Sequence, residues 1–291
     1  MAYEFQENWE AELQERLLDP TIWDEVNTVI RSNDQIFHAP YETPTATSSG
    51  TRGTAVTPST VSQTDDTVTI NDFDYVQEYA DFADLAQSKF ANTKNRKLHQ
   101  LATVLEKMDN SLLAAHTSWT NFGTGDIGGG GSSTDGITVT STNVSKIVDG
   151  VVQKILDAKG LKQMQKNGAF IIWRATDYSA VAQAAKNLGF MEADKNIREG
   201  AQYGMYWGGV YHYFSNEHAA AASGLQHLFA GVRKANYCYV VEETFGRLYI
   251  IDHPANGDGN LQGLGFETRI DRKYKAWNNF IPVLYDVNVI P

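Results

Sequence analysis

Apolar residues recur at Leu98, Leu101, Ala102, Leu105, Met108 and Leu112, with Leu113 and Ala115 beside them, through the stretch from Thr93 to Trp119. Spacings of three and four residues place such a set along one side of an α-helix. Asn92 or Thr93 can cap its start, and neither Pro nor Gly interrupts it before Gly123. At 1.5 Å per residue, roughly 25 residues span about 38 Å. A helix of that length is expected to carry other layers of the fold.

Ahead of it, Phe5, Trp9, Leu13 and Leu17 form a narrow stripe that Asp19-Pro20 breaks. A second short helix is expected from Thr21, carrying Ile22, Trp23, Val26, Val29 and Ile30. Residues 41–70 change character, with 14 Ser or Thr among 30 and little bulky apolar content before Val68 and Ile70. Two readings compete there, a flexible linker and a two-stranded polar hairpin. The alternation in DDTVTI supports the hairpin, and an isolated hairpin needs a second surface to lie on. From Ile70 the chain reads as extended, turning helical near Asp81.

After the long helix, GTGDIGGGGSSTDG (123–136) is a connecting loop. It lacks the Gly-Lys-Ser/Thr ending of a phosphate loop. Ile137–Val139 reads as a short strand. Asn143 then caps a helix with Val144, Ile147, Val148, Val151, Ile155 and Leu156 on one side, ending near Gly160. GAFIIWRAT (168–176) is a buried strand, and Asp177 caps the helix that runs to Gly189. Tyr206–Phe214 has strand character. The last third is strand-rich, with segments at Tyr237–Glu242, Arg247–Asp252, Phe266–Ile270 and Phe280–Val289, the last placing Val283, Tyr285, Val287 and Val289 on one face. The expected class is α+β.

Composition narrows the choice. A chain of 291 residues suits one large domain or two smaller ones and can bury a core. One cysteine, Cys238, excludes an intrachain disulfide and a cysteine zinc site; within NYCYVV it reads as packing. The acidic start without an apolar run is not expected to be a signal or transit peptide. No run of about 18 apolar residues suggests a membrane-spanning helix. The net charge of −11 is uneven. Residues 1–88 hold 17 Asp/Glu, three Arg and no Lys, and the first lysine is Lys89. That front third is therefore not expected to bind nucleic acid.

The sequence carries few candidate catalytic sets. The seven histidines show no HExxH or HxH spacing, and there is no GxSxG elbow. Asp252 and His253 with His212 make the most plausible metal-ligand set, and would point to a metal-dependent hydrolase. Arg269, Arg272, Lys273 and Lys275 cluster beside Tyr274 and Trp277. That pairing suits nucleic acid or a contact between subunits.

The order of these parts resembles a family. An amphipathic arm precedes a Ser/Thr-rich hairpin, and a long helix containing LATVLEKMDNSLLAA follows. A helix–strand–helix layer, the Gly-rich aromatic stretch IREGAQYGMYWGGVYHYFSN, and the segment from His227 to Arg233 with Ala235 and an aromatic strand complete the series. The whole is similar to the major capsid proteins of tailed bacteriophages, the Hong Kong 97-like fold, over roughly residues 41–291. It departs in having no long scaffolding-like N-terminal segment and no lysine in the hairpin.

The resemblance implies an N-terminal arm (1–40), an extended loop (41–72) and a peripheral domain on a spine helix (73–136, helix about 93–119). It also implies an axial domain (137–235) and returning strands (236–291). It implies hexamers and pentamers of the chain in an icosahedral shell around double-stranded DNA, located in the virion after assembly in a host cytoplasm. Scaffold, portal and decoration proteins are the implied partners, with no cofactor, membrane or catalytic residue. Because the family's arm and loop cross subunit boundaries, Lys97, Arg269, Arg272 and Lys273 are the expected inter-subunit contacts for the acidic front. Alternatives are a cellular nanocompartment shell of the same fold, the metal-dependent hydrolase, and a tail or baseplate protein.

Overall fold

A computed structural model describes residues 21–42, 49–56, 58, 60–81, 93–119, 127, 136–188, 204–218, 225–254, 260–277 and 283–290. The first expected arm helix, the Gly-rich loop apart from Ile127 and Gly136, and the turn after Asp81 lie outside them. The long helix is present as α2 (Thr93–Ala115), prolonged by a 3-10 turn at His116–Ser118. Its buried side differs slightly from the apolar stripe. Val104, Met108, Leu112 and Leu113 are buried, but so are Gln100, Asp109 and His116, while Leu98 stands exposed.

That mixed side lies on a four-stranded sheet, in the order β1 (Thr28–Arg31), β10 (Asn236–Pro254), β11 (Asn260–Ala276), β4 (Phe73–Asp81). The polar positions meet partners in the sheet. Gln100 donates to Glu78 and to the Phe266 carbonyl and accepts from Thr268, and Tyr274 donates to the Met108 carbonyl (3.0 Å). In β11 the even residues Phe266, Thr268, Ile270, Arg272, Tyr274 and Ala276 are buried toward the helix. The odd residues from Glu267 to Lys275 look the other way, as a pleat requires.

A two-stranded hairpin, β2 (Ile36–Glu42) with β3 (Gln63–Thr69), is paired in register from Ile36↔Thr69 to Glu42↔Gln63. It begins earlier than the sequence indicates, and the hairpin reading prevails over the linker. Its base rests on the outer face of the sheet through Val68, Ile70 and Phe37 against Tyr237, Tyr239 and Trp277, with Phe37 and Tyr239 ring centroids 4.4 Å apart. Further out, Val56 and Val61 are 75% and 76% exposed.

The rest forms a six-stranded mixed sheet, β5 (Ile137–Thr138), β12 (Leu284–Ile290), β9 (Gln226–Val232), β6 (Ala169–Arg174), β8 (Val210–Ser215), β7 (Gly204–Trp207). Helices α3 (Val144–Asp157) and α5 (Tyr178–Asn187) pack on it, and a short α4 (Leu161–Asn167) precedes β6. One apolar cluster joins this sheet to α2 and β10 through Phe170, Phe229, Met108 and Cys238.

Several expectations are corrected. The second arm helix lasts one turn, α1 (Trp23–Val26). Asn27 is extended, and the β-branched run Thr28-Val29-Ile30 pairs in parallel with Tyr237–Tyr239 instead of continuing the helix. Asn143 and Asp177 cap nothing with their side chains. Asn143 donates to the Thr138 carbonyl, and Asp177 accepts a bidentate pair from Nε and Nη2 of Arg174 (2.7 Å each). The two segments read in 237–252 are one strand with irregularities near Val240 and Thr244. Finally, β12 is buried on both faces, including Asp286 and Asn288, so its alternation did not mark a solvent side.

Candidate functional site

Among the described residues nothing covers the outer face of the four-stranded sheet beyond the hairpin base. On β4, Phe73, Tyr75 and Tyr79 point outward with 48%, 58% and 37% of their surface exposed. Arg269 lies directly opposite Tyr75, its guanidinium 4.3 Å over the Phe73 ring and paired with Asp271 (2.6 Å). Three aromatic rings and an arginine on one sheet face suit a protein contact.

Pleat alternation divides the basic cluster. Arg272 turns inward, is nearly buried, and donates to Asp74 and to Ser111 Oγ (2.6 Å). Lys273 and Lys275 turn outward to Asp72 and Asp66. Arg96 meets Glu78 (3.3 Å) and Arg233 meets Glu25 (2.7 Å). These pairs join the acidic front to the basic body within one chain. Arg272, expected between subunits, is committed internally. Lys97 is half-buried on α2, and Lys97, Arg269 and Lys273 keep accessible surface.

The hydrolase reading loses its histidine. His212 is fully buried on β8, accepts at Nδ1 from the Trp173 indole (3.0 Å), and turns Nε2 to the Trp207 carbonyl (3.2 Å). Burial pushes its pKa down to about 3, so the ring is neutral. Asp252 and His253 belong to a different sheet, on β10, and their side chains lie outside the described residues. Among the described residues no group of three or more His, Cys, Asp or Glu could hold a metal, and no helix is long and apolar enough to cross a membrane.

Two buried carboxylates went unnoticed in the sequence. Asp109 on α2 accepts from the backbone N–H groups of Ile22 (3.1 Å) and Trp23 (2.8 Å), pinning the arm to the long helix. Burial raises its pKa to about 7, against the two hydrogen bonds, with Asp24 and Glu217 adding to the rise. Asp286 on β12 sits 2.6 Å from His227 Nδ1 and 3.7 Å from buried His116. Burial opposes its charge, but the two neighbouring imidazoles outweigh it and hold the carboxyl below its usual value. Both are buried and read as structural links. No spacing signal announced either one, since each partner comes from a distant part of the chain.

No family model matches the sequence, and no curated protein matches it. Solved structures do match over nearly the whole chain. A chain from Mycobacterium phage Che8 superposes with a TM-score of 0.72 at 11% identity, covering 97% of this chain and 96% of that one. The mature capsid of bacteriophage PhiM1 gives 0.65 at 12%, covering 98% and 92%. The virus-like particle from Pyrococcus furiosus gives 0.53 at 9%, covering 92% of each. The chain therefore has the fold of phage capsid proteins, the Hong Kong 97-like α+β fold expected from the order of its elements.

Proposed function

We propose that the chain is a major capsid protein of a tailed bacteriophage, a subunit that assembles with copies of itself into hexamers and pentamers of an icosahedral shell. The observation that carries this reading is the fold match along nearly the full length of phage capsid chains. The role is mechanical. The α2 helix with the four-stranded sheet is the peripheral domain, and the six-stranded sheet with its helices is the axial domain. The hairpin is the extended loop, which crosses to a neighbour with its exposed Val56 and Val61. The outward aromatic face with Arg269, together with Lys97 and Lys273, is the receiving surface. Double-stranded DNA is enclosed without sequence-specific contacts. The virion is the location, and scaffold, portal or decoration proteins are further partners.

The nanocompartment alternative shares this fold, and none of the three solved structures above is described as a nanocompartment. The test is the content of particles isolated from the native source. Shells holding genome-length duplex DNA support the capsid reading. Shells holding only protein cargo overturn it in favour of the nanocompartment.

A further inference from the structure

A second surface feature is unrelated to the assembly face. Between the end of α4, the start of β6 and the β7–β8 turn lies a half-open cleft of about 430 Å³, lined by Met164, Gln165, Lys166, Tyr206, Tyr211 and Arg233 among others. That volume falls within the range of small-molecule sites, about 300–1,000 Å³. Among the described residues the lining holds two cations, Lys166 and Arg233, and no carboxylate, with Glu25 paired to Arg233.

Its shape is fixed by backbone. Gly168 adopts φ +79°, and a Cβ there would lie 2.6 Å from the Tyr211 ring, so only glycine admits that ring. The Gly168 N–H also donates to the Met164 carbonyl (2.7 Å), removing a bare oxygen that would repel an anion. Gly209, at φ +78°, closes the other side against Met164. Tyr206 and Tyr211 stand with ring centroids 4.7 Å apart, and Tyr206 is 43% exposed. The Arg233 guanidinium lies 4.4 Å over the Tyr211 ring and is paired with Glu25 (2.7 Å). Lys166 is exposed.

We propose that this cleft binds a nucleotide. The base stacks on the exposed face of Tyr206, as aromatic side chains receive bases. The Gln165 and Asn167 amides, which both donate and accept, meet the polar edge of the base. The phosphate takes the Lys166 ammonium, with the Arg233 charge behind it. The site is independent of the shell-forming role. A free mononucleotide and a nucleotide within a nucleic-acid strand present the same chemistry.

The test is calorimetric titration of the purified full-length chain with deoxyadenosine monophosphate, in parallel with Lys166→Gln and Tyr206→Ala. Both side chains are exposed, and a matching circular dichroism spectrum checks the fold of each variant. The expected result is saturable binding, weakened about tenfold or more by either change. Deoxyadenosine, without phosphate, should bind weakly and ignore Lys166→Gln. A single-stranded oligonucleotide that displaces the mononucleotide assigns the site to nucleic acid, and failure to displace assigns it to free nucleotide. No saturable binding at millimolar ligand, or binding unchanged in both folded variants, overturns the proposal.

Discussion

Asp109→Asn is the most informative single change in the joint between arm and body. In the native chain the Asp109 carboxylate, 6% exposed, accepts the Ile22 and Trp23 N–H groups. Ile22, Trp23 and Val26 are themselves buried beside it. The folded-state pKa of about 7 lies above the ordinary 3.8. A raised carboxyl pKa means that the folded chain favours the protonated form. Stability is therefore greatest below about pH 4 as far as this group is concerned, and is lost as pH rises toward 7. A gap of about 3 pH units corresponds to at most about 4 kcal/mol.

Asparagine keeps the shape and one carbonyl acceptor but cannot ionise. Urea unfolding of both proteins at a series of pH values from 4.5 to about 8 isolates the effect, because every other titrating group is shared. The native chain should lose stability relative to the variant across that range, by roughly 2–4 kcal/mol. Asp109→Ala, which leaves two buried N–H donors unmet, should cost about 2–5 kcal/mol near pH 4.5, and less as the pH rises and the native chain loses its own share. If Asn and native curves run parallel in pH, ionisation of Asp109 does not control the joint and the reasoning fails.

Three further outcomes follow from particular contacts. Gly231→Ala should lower the melting temperature sharply, costing on the order of 3 kcal/mol. An added Cβ would meet the Val283 carbonyl oxygen at 2.3 Å and the Leu284 Cα at 2.9 Å, both backbone atoms of the paired strand; an unchanged melting curve would show that the ladder can move aside. His227→Gln should flatten the pH dependence of stability on both sides of its optimum. The His227 pKa is raised by its hydrogen bond to Asp286, so its contribution is full below about 6.5 and fades above. The Asp286 pKa is lowered, so its contribution is full above about 3.8 and fades in acid; identical pH profiles would refute the pairing. Particles boiled in detergent should run as a monomer band, because residues 1–88 contain no lysine to form an isopeptide bond from the extended loop; a covalent ladder would contradict this.

The long helix and the buried β6 strand were legible because their own residues carry the pattern. Met108 and Leu112 mark a helical face, and AFIIW a strand closed on both sides. The hairpin was legible through composition, although its first residues from Ile36 resemble any short apolar segment. What the sequence concealed depends on distant partners. Thr28–Arg31 became a strand only because β10 offers a parallel edge. Gln100 is buried because β11 presents the Phe266 carbonyl and the Thr268 hydroxyl to it. Asn143 and Asp177 look like caps in isolation, yet Thr138 and Arg174 claim their side chains. The basic cluster around Arg269–Lys275 read as one surface, but strand alternation sends Arg272 and Tyr274 inward and the rest outward. At the exposed face, Phe73, Tyr75 and Tyr79 gave an alternating signal that fits a strand, while nothing local told which side would remain uncovered.

Self-assembly through the hairpin is the central claim, and negative-stain electron microscopy of the purified chain beside a variant lacking residues 45–66 tests it most directly. The native chain should form closed shells or rings of five and six subunits. The variant should keep a native circular dichroism spectrum, since the hairpin base at Phe37, Val68 and Ile70 is retained, and should form no shells. Native protein that stays monomeric at assembly concentrations, or shells of normal size from the variant, would contradict the account.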